Sequence, residues 1–168
     1  MEGGSRDVPL TPETQHDVPV SRAAQARILL VEDNPADCRL IEEALKTNGR
    51  PYHLSVCNDG VQALRMLLHA EPYANAPRPD IILLDLNLPG LSGWEVLRAI
   101  KQNTELMEIP VLILTSSRAR EEILRAYRNY ANSYFCKPTR ISDAFNLIEE
   151  IYRYWFRTSV LPSRTDIT

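Results

Sequence analysis

Four short apolar runs, each closed by a charged or hydroxyl residue, constrain the fold of this chain more than any other feature. They are Arg27-Ile28-Leu29-Leu30-Val31-Glu32-Asp33, Asp80-Ile81-Ile82-Leu83-Leu84-Asp85, Pro110-Val111-Leu112-Ile113-Leu114-Thr115 and Ser133-Tyr134-Phe135-Cys136-Lys137-Pro138. An apolar run without alternation reads as a strand buried on both faces, the condition of a parallel sheet covered by helices. In open α/β sheets, ligands bind beyond the carboxyl ends of the strands. The run ends therefore gather three carboxylates, a hydroxyl and an ammonium at one rim. That inventory suits a divalent cation and a phosphoryl group.

Between these runs the helix signals recur. Asn34 and Pro35 supply an N-cap followed by proline at the first helical position. Cys38, Ile41 and Leu45 then share a face, and Gly49 ends the helix. Tyr52 to Cys57 reads as a weaker strand. Asn58-Asp59-Gly60 turns into a helix with Gly60, Leu64, Leu67 and Leu68 inward, and a proline-rich loop from Glu71 to Pro79 leads to the next strand. Ser92 caps a helix with Val96, Leu97 and Ile100 inward. Ser116 or Ser117 is expected to cap the next, with Ala119, Ile123, Ala126, Tyr127 and Tyr130 at helical spacing. Ser142 is expected to cap the last, with Phe145, Ile148, Tyr152 and Trp155 inward. Five strands alternating with five helices predict an α/β fold, doubly wound about a parallel sheet.

The 168 residues suit one domain with some chain left over. Residues 1 to 25 are polar, carry Pro9, Pro12 and Pro19, and read as a disordered extension. Residues 26 to 156 hold the domain, and 157 to 168 form a tail. A net charge of −3 leaves no basic excess, so direct DNA binding is not expected. No apolar stretch approaches the length of a membrane span, and the N-terminus lacks a signal-peptide pattern. Cys38, Cys57 and Cys136 show no C-x-x-C spacing and read as free thiols in a reducing cytoplasm; Cys57 and Cys136, in or at the end of apolar runs, are expected to behave as small hydrophobes. His16, His53 and His69 are scattered and support no metal site.

These residues resemble the receiver domain of two-component response regulators, over roughly Ala26 to Phe156. The resemblance implies a flavodoxin-like fold with strand order 2-1-3-4-5, which sets Asp33 and Asp85 across from each other, with Thr115 and Lys137 on the next two strands. It also implies roles. Asp85, in Leu84-Asp85-Leu86-Asn87-Leu88-Pro89-Gly90, matches the phosphoacceptor. Asp33 matches a direct ligand of Mg2+ and Glu32 one acting through water, while the main-chain carbonyl of Asn87 completes the protein ligands. Thr115 matches the hydroxyl that bonds the phosphoryl group, and Lys137 the lysine that pairs with it. The Lys137–Pro138 bond is expected to be cis. Glu32 and Ser92 stand where aspartate is frequent in the family.

The chemistry agrees with the residue types. Clustered carboxylates repel one another unless some protonate or a cation intervenes, and Mg2+ takes oxygen ligands while keeping several waters. The donor implied is a phosphohistidine of a sensor histidine kinase. The family's switch, carried over, would move Thr115 toward the phosphoryl group and Tyr134 into the vacated space. Trp155, Phe156, Val160 and Leu161 offer more apolar surface than a terminal helix requires, and mark a candidate dimerisation arm unless they fold back on their own domain. That ending, with the Arg78 to Pro89 segment, is similar to the stand-alone, often dimeric regulators that partner phytochromes, and so implies a phytochrome-type kinase. Arg118, Arg120, Arg125, Arg128 and Arg140, interleaved with Glu121, Glu122 and Asp143, form either a solvated face or an ion-paired dimer surface. Two other classes compete. A haloacid dehalogenase-type phosphatase would want an aspartate two residues after the nucleophile, where Asn87 stands. A pseudo-receiver that only binds partners would lack an aspartate or the lysine, and all are present.

Overall fold

A computed structural model of the protein describes residues 25–162. The elements run β1 (Ala26–Val31), α1 (Pro35–Asn48), β2 (Tyr52–Cys57), α2 (Gly60–Leu67), β3 (Ile81–Leu84), α3 (Gly93–Gln102), β4 (Val111–Thr115), α4 (Arg120–Arg128), β5 (Ser133–Cys136) and α5 (Ile141–Arg153), and α5 passes into a π-helical turn, Tyr154–Thr158. The sheet is parallel, in the order 2-1-3-4-5. The parallel α/β fold expected from the run pattern and the strand order implied by the resemblance are both observed. The extension expected over residues 1 to 25 lies, save Gln25, outside the described residues, as do residues 163–168 of the tail.

Alternate side chains of the central strands feed two cores, which is why their middles are apolar throughout. Leu29, Val31, Ile82, Leu84, Val111 and Ile113 pack under α2, α3 and α4. Ile28, Leu30, Ile81, Leu83, Leu112 and Leu114 pack under α1 and α5. The edge strands differ: much of β2 and β5 is only half-buried, and Cys136 is exposed. It is therefore not the buried hydrophobe expected from its run. Cys38 and Cys57 are buried, and burial pushes their thiols up to about 11 and about 12.

The caps set where each helix leaves the rim. Asn34 accepts from the Ala36 N–H at 2.9 Å, Pro35 opens α1, and Gly49 closes it with φ +71°. Ser92 and Glu95 form a reciprocal capping box at α3. Two expected caps fail. α4 begins after Ala119 without a side-chain cap, Ser117 Oγ instead accepting from the Ala119 N–H at 3.2 Å. α5 begins at Ile141, so Ser142 is already inside the helix. Leu68, Ala119, Tyr127 and Tyr130 are exposed rather than inward. α4 ends at Arg128, so helical spacing no longer applies at Tyr130, whose φ is +64°. Lys137–Pro138 is not cis; the cis bond among the described residues is Glu71–Pro72. The two isomers before proline differ by only about 0.5–1 kcal/mol, too little for local sequence to decide.

The apolar tail residues divide. Trp155, Phe156 and Leu161 are half-buried against the core under α1 and α5, whereas Val160 is 79% exposed. The Tyr152 and Phe156 rings lie 5.1 Å apart. The described residues contain no helix long and apolar enough to cross a membrane.

Candidate functional site

Strand register brings the site together. Val31 pairs with Leu84, Leu84 with Ile113, and Thr115 with Cys136. The residues just past these positions (Glu32 and Asp33, Asp85, Lys137) therefore emerge at the same rim as Thr115. Backbone bonds continue the ladder there: Asp85 N–H donates to the Val31 carbonyl at 3.0 Å, and Lys137 N–H to the Thr115 carbonyl at 2.9 Å. α3 closes the floor. A Cβ on Gly93 would stand 2.0 Å from the Asp85 carbonyl oxygen, so only glycine lets the helix start this close.

Carboxylate oxygens of Glu32, Asp33 and Asp85 lie within 4.8 Å of one another. Glu32 and Asp85 are buried and Asp33 is exposed. Lys137 Nζ stands among the acids, 2.7 Å from Asp85 Oδ2, 2.7 Å from Glu32 Oε2 and 2.9 Å from Asp37 Oδ2. Glu32 Oε1 also accepts from the Asn34 N–H at 3.0 Å, fixing the carboxylate at the start of α1. Glu32 Oε2, although close to the ammonium, lacks a well-aligned hydrogen bond. Burial raises the Glu32 pKa against the opposing pull of Lys137 and the Asn34 N–H. For Lys137, burial works against the charge, but its bonds to Asp85, Glu32 and Asp37 outweigh it and hold the pKa above the usual lysine value.

Thr115 is fully buried. Its hydroxyl lies 3.5 Å from both Asn87 Nδ2 and the Ser117 N–H, loose contacts that leave it able to take another partner. Asn87 N–H donates to Asp85 Oδ1 at 3.1 Å. Tyr134 is half-buried beside the core, and its hydroxyl donates to the Ser117 carbonyl at 3.1 Å. The rim thus unites Glu32, Asp33, Asp85, Asn87, Thr115 and Lys137. Trp155, Phe156 and Leu161 lie elsewhere, against the core under α1 and α5.

Asp37 was missed by the sequence reading. It is an acidic residue in the first turn of α1, and its local sign was faint: a carboxylate in the first turn of a helix that starts just past the end of β1.

The donor set fits a hard divalent cation. Three carboxylates converge, one of them buried with an oxygen short of an aligned hydrogen bond, and a lysine provides the balancing charge in their midst. Oxygen-only ligands with room for water are what Mg2+ or a similar ion requires.

Comparison with known proteins places this geometry. Residues 28–149 match the family model described as the response regulator receiver domain. The chain is 43% identical over 136 residues to response regulator Rcp1 of a Synechocystis strain, covering 81% of this chain and 92% of that protein. The structure of the Mn2+-bound form of Rcp1 superposes with a TM-score of 0.75 at 42% identity, covering 82% of this chain and 99% of that one. The phosphorylated cyanobacterial phytochrome response regulator RcpA superposes with a TM-score of 0.79 at 43% identity, over 83% and 100% of the two chains. A regulator of red light signaling in R. palustris, RPA3017, gives 0.78 at 30% identity, over 82% and 99%. The chain belongs to the response regulator receiver domain family.

Proposed function

We propose that this response regulator accepts a phosphoryl group on Asp85 from a phosphohistidine of a sensor histidine kinase, in a reaction that depends on Mg2+. An Asp85 oxygen forms the new bond to phosphorus as the phosphorus–nitrogen bond breaks, its electron pair returning to the imidazole. Asp33, Asp85 and the Asn87 carbonyl would hold the cation, with Glu32 acting through water. When bound, Mg2+ offsets charge on the non-bridging phosphoryl oxygens. Lys137 pairs with one of those oxygens, and the loosely held Thr115 hydroxyl turns to another. The protein promotes only its own loading and unloading and is no general catalyst. The convergence of Glu32, Asp33 and Asp85, with the Lys137 ammonium against two of them, carries this reading.

Loading adds charge and acceptor oxygens at Asp85. A shift of Thr115 toward them would open space for Tyr134, whose hydroxyl is tethered to the β4–α4 loop through Ser117. The signal is then a population shift of the surface around that loop. Similarity to RcpA, a phytochrome response regulator, and to RPA3017, a regulator in red light signaling, supports a phytochrome-type kinase as donor; the reading sets this transfer in the cytoplasm. The exposed Tyr154 and Val160 beside the half-buried Trp155, Phe156 and Leu161 support a homodimer built at the tail.

Reductive trapping of the acyl phosphate, followed by peptide mapping, tests the assignment. Modification is expected at Asp85; modification at any other residue contradicts it. Transfer rates from phytochrome-type and unrelated kinases test the donor, and preference for an unrelated kinase rejects it.

A further inference from the structure

We infer that Asp37 is a positioning residue that holds Lys137 in reserve, so that the charge on its carboxylate sets how fast Asp85 is loaded; the inference rests on the reading of Asp85 as phosphoacceptor. An ammonium has three donors and no more. In this structure three carboxylates crowd the nitrogen: Asp85 at 2.7 Å and Asp37 at 2.9 Å accept hydrogen bonds from it, and Glu32 Oε2 stands at 2.7 Å without an aligned one. A phosphoryl oxygen can therefore reach the ammonium only by displacing one of them.

The three partners are unequal. The side chains of Glu32 and Asp85 are 1% and 4% exposed, whereas that of Asp37 is 31% exposed. A buried carboxylate that loses its cation is left without water, and that costs far more than release into solvent. Asp37 is thus the partner that yields. It also sits in the first turn of α1, where the free N–H groups of the helix stabilise a carboxylate that has let go of lysine.

The same residue adds a fixed negative charge beside the incoming group. Asp37 and Asp85 touch a single nitrogen, so their oxygens stand no further apart than those two contacts laid end to end. The transferred group brings about two negative charges of its own. Removing the Asp37 charge both frees a donor and relieves repulsion, and both effects favour loading.

The test is the rate of acyl phosphate formation from acetyl phosphate in Mg2+, for the full chain and for Asp37→Asn, Asp37→Glu and Asp85→Asn. Asp37→Asn, nearly isosteric, is expected to load roughly threefold to tenfold faster at low salt. The gain should shrink in high salt, as a screened charge requires and a packing change does not. Asp37→Glu, which keeps the charge, should stay near the wild-type rate. An unchanged or slower Asp37→Asn, with Asp85→Asn unreactive, overturns the role of Asp37 while leaving the phosphoacceptor in place. Loading that survives in Asp85→Asn overturns both.

Discussion

Lys137 Nζ lies 2.7 Å from Asp85 Oδ2, a contact between residues 52 positions apart that joins the end of β5 to the end of β3. The lysine is the internal cation of the site. It balances carboxylates that would otherwise repel each other in a desolvated place. Removing it should expose that repulsion. Breaking a buried ion pair by deleting one partner costs about 3–5 kcal/mol, so Lys137→Met is expected to lose about that much stability in metal-free buffer. Mg2+ should restore part of the loss, because an ion that binds only the folded state stabilises it. Urea unfolding with and without Mg2+ measures both. Equal stability of the variant and the wild type without metal would show that the lysine does not compensate the acids.

The approach of α3 to Asp85 gives a second expectation. A methyl group at Gly93 would meet the Asp85 carbonyl at 2.0 Å and the Leu86 Cα at 2.6 Å. Backbone on both sides must then move, and overpacking of this kind costs about 1–3 kcal/mol. Gly93→Ala should lower the melting temperature and, by displacing Asp85, also weaken Mg2+ uptake measured by calorimetry. Unaltered metal binding in a folded variant would argue against the tight coupling of α3 to the rim.

The opposite end of the sheet holds a pH-dependent clasp. Lys101 Nζ donates to the carbonyls of Met107 and Ile109 and to Asn132 Oδ1, the oxygen that also accepts from the Val111 N–H. Burial lowers the Lys101 pKa to about 8. A lysine whose folded pKa lies below its unfolded value costs stability while protonated, and that cost fades as pH rises from about 8 toward the unfolded value near 10.4. Wild-type stability measured relative to Lys101→Met is therefore expected to rise across that window. A flat or falling difference would contradict it.

Substitutions in the tail should separate packing from association. Val160 is exposed and can report only on contacts with another molecule, whereas Trp155 also packs on its own core. If the proposed dimer forms at the tail, Val160→Asp is expected to weaken association in sedimentation while leaving the melting temperature unchanged, and Trp155→Ala to lower both. A wild-type monomer at all accessible concentrations would reject the dimer.

Much of the architecture could be read from the chain because its central strands are buried twice over. Ile28 to Val31 and Ile81 to Leu84 alternate between two cores, so every position had to be apolar. The edge strands carry a weaker imprint, since solvent reaches one side, and the exposed Cys136 follows from that. Periodicity misled at Tyr127 and Tyr130, where the helix is near its end or already over. Ser142 carries the right chemistry for a cap, but the helix begins one residue earlier, at Ile141 after Arg140, which pairs with Asp143 at 2.9 Å. Asp33, Asp85, Thr115 and Lys137 could be placed because each terminates a run. Asp37 terminates nothing; its position depends on how α1 turns back over the rim, a tertiary fact with only a faint local sign.

The most direct measurement is the intact mass of the protein after incubation with acetyl phosphate and Mg2+, alongside the Asp85→Asn variant. The wild type is expected to gain the mass of one phosphoryl group, the variant to gain none, and chelation of the metal to suppress the gain. A gain that persists in the variant, or proceeds equally well without metal, would contradict the claim that the acidic rim makes Asp85 the acceptor.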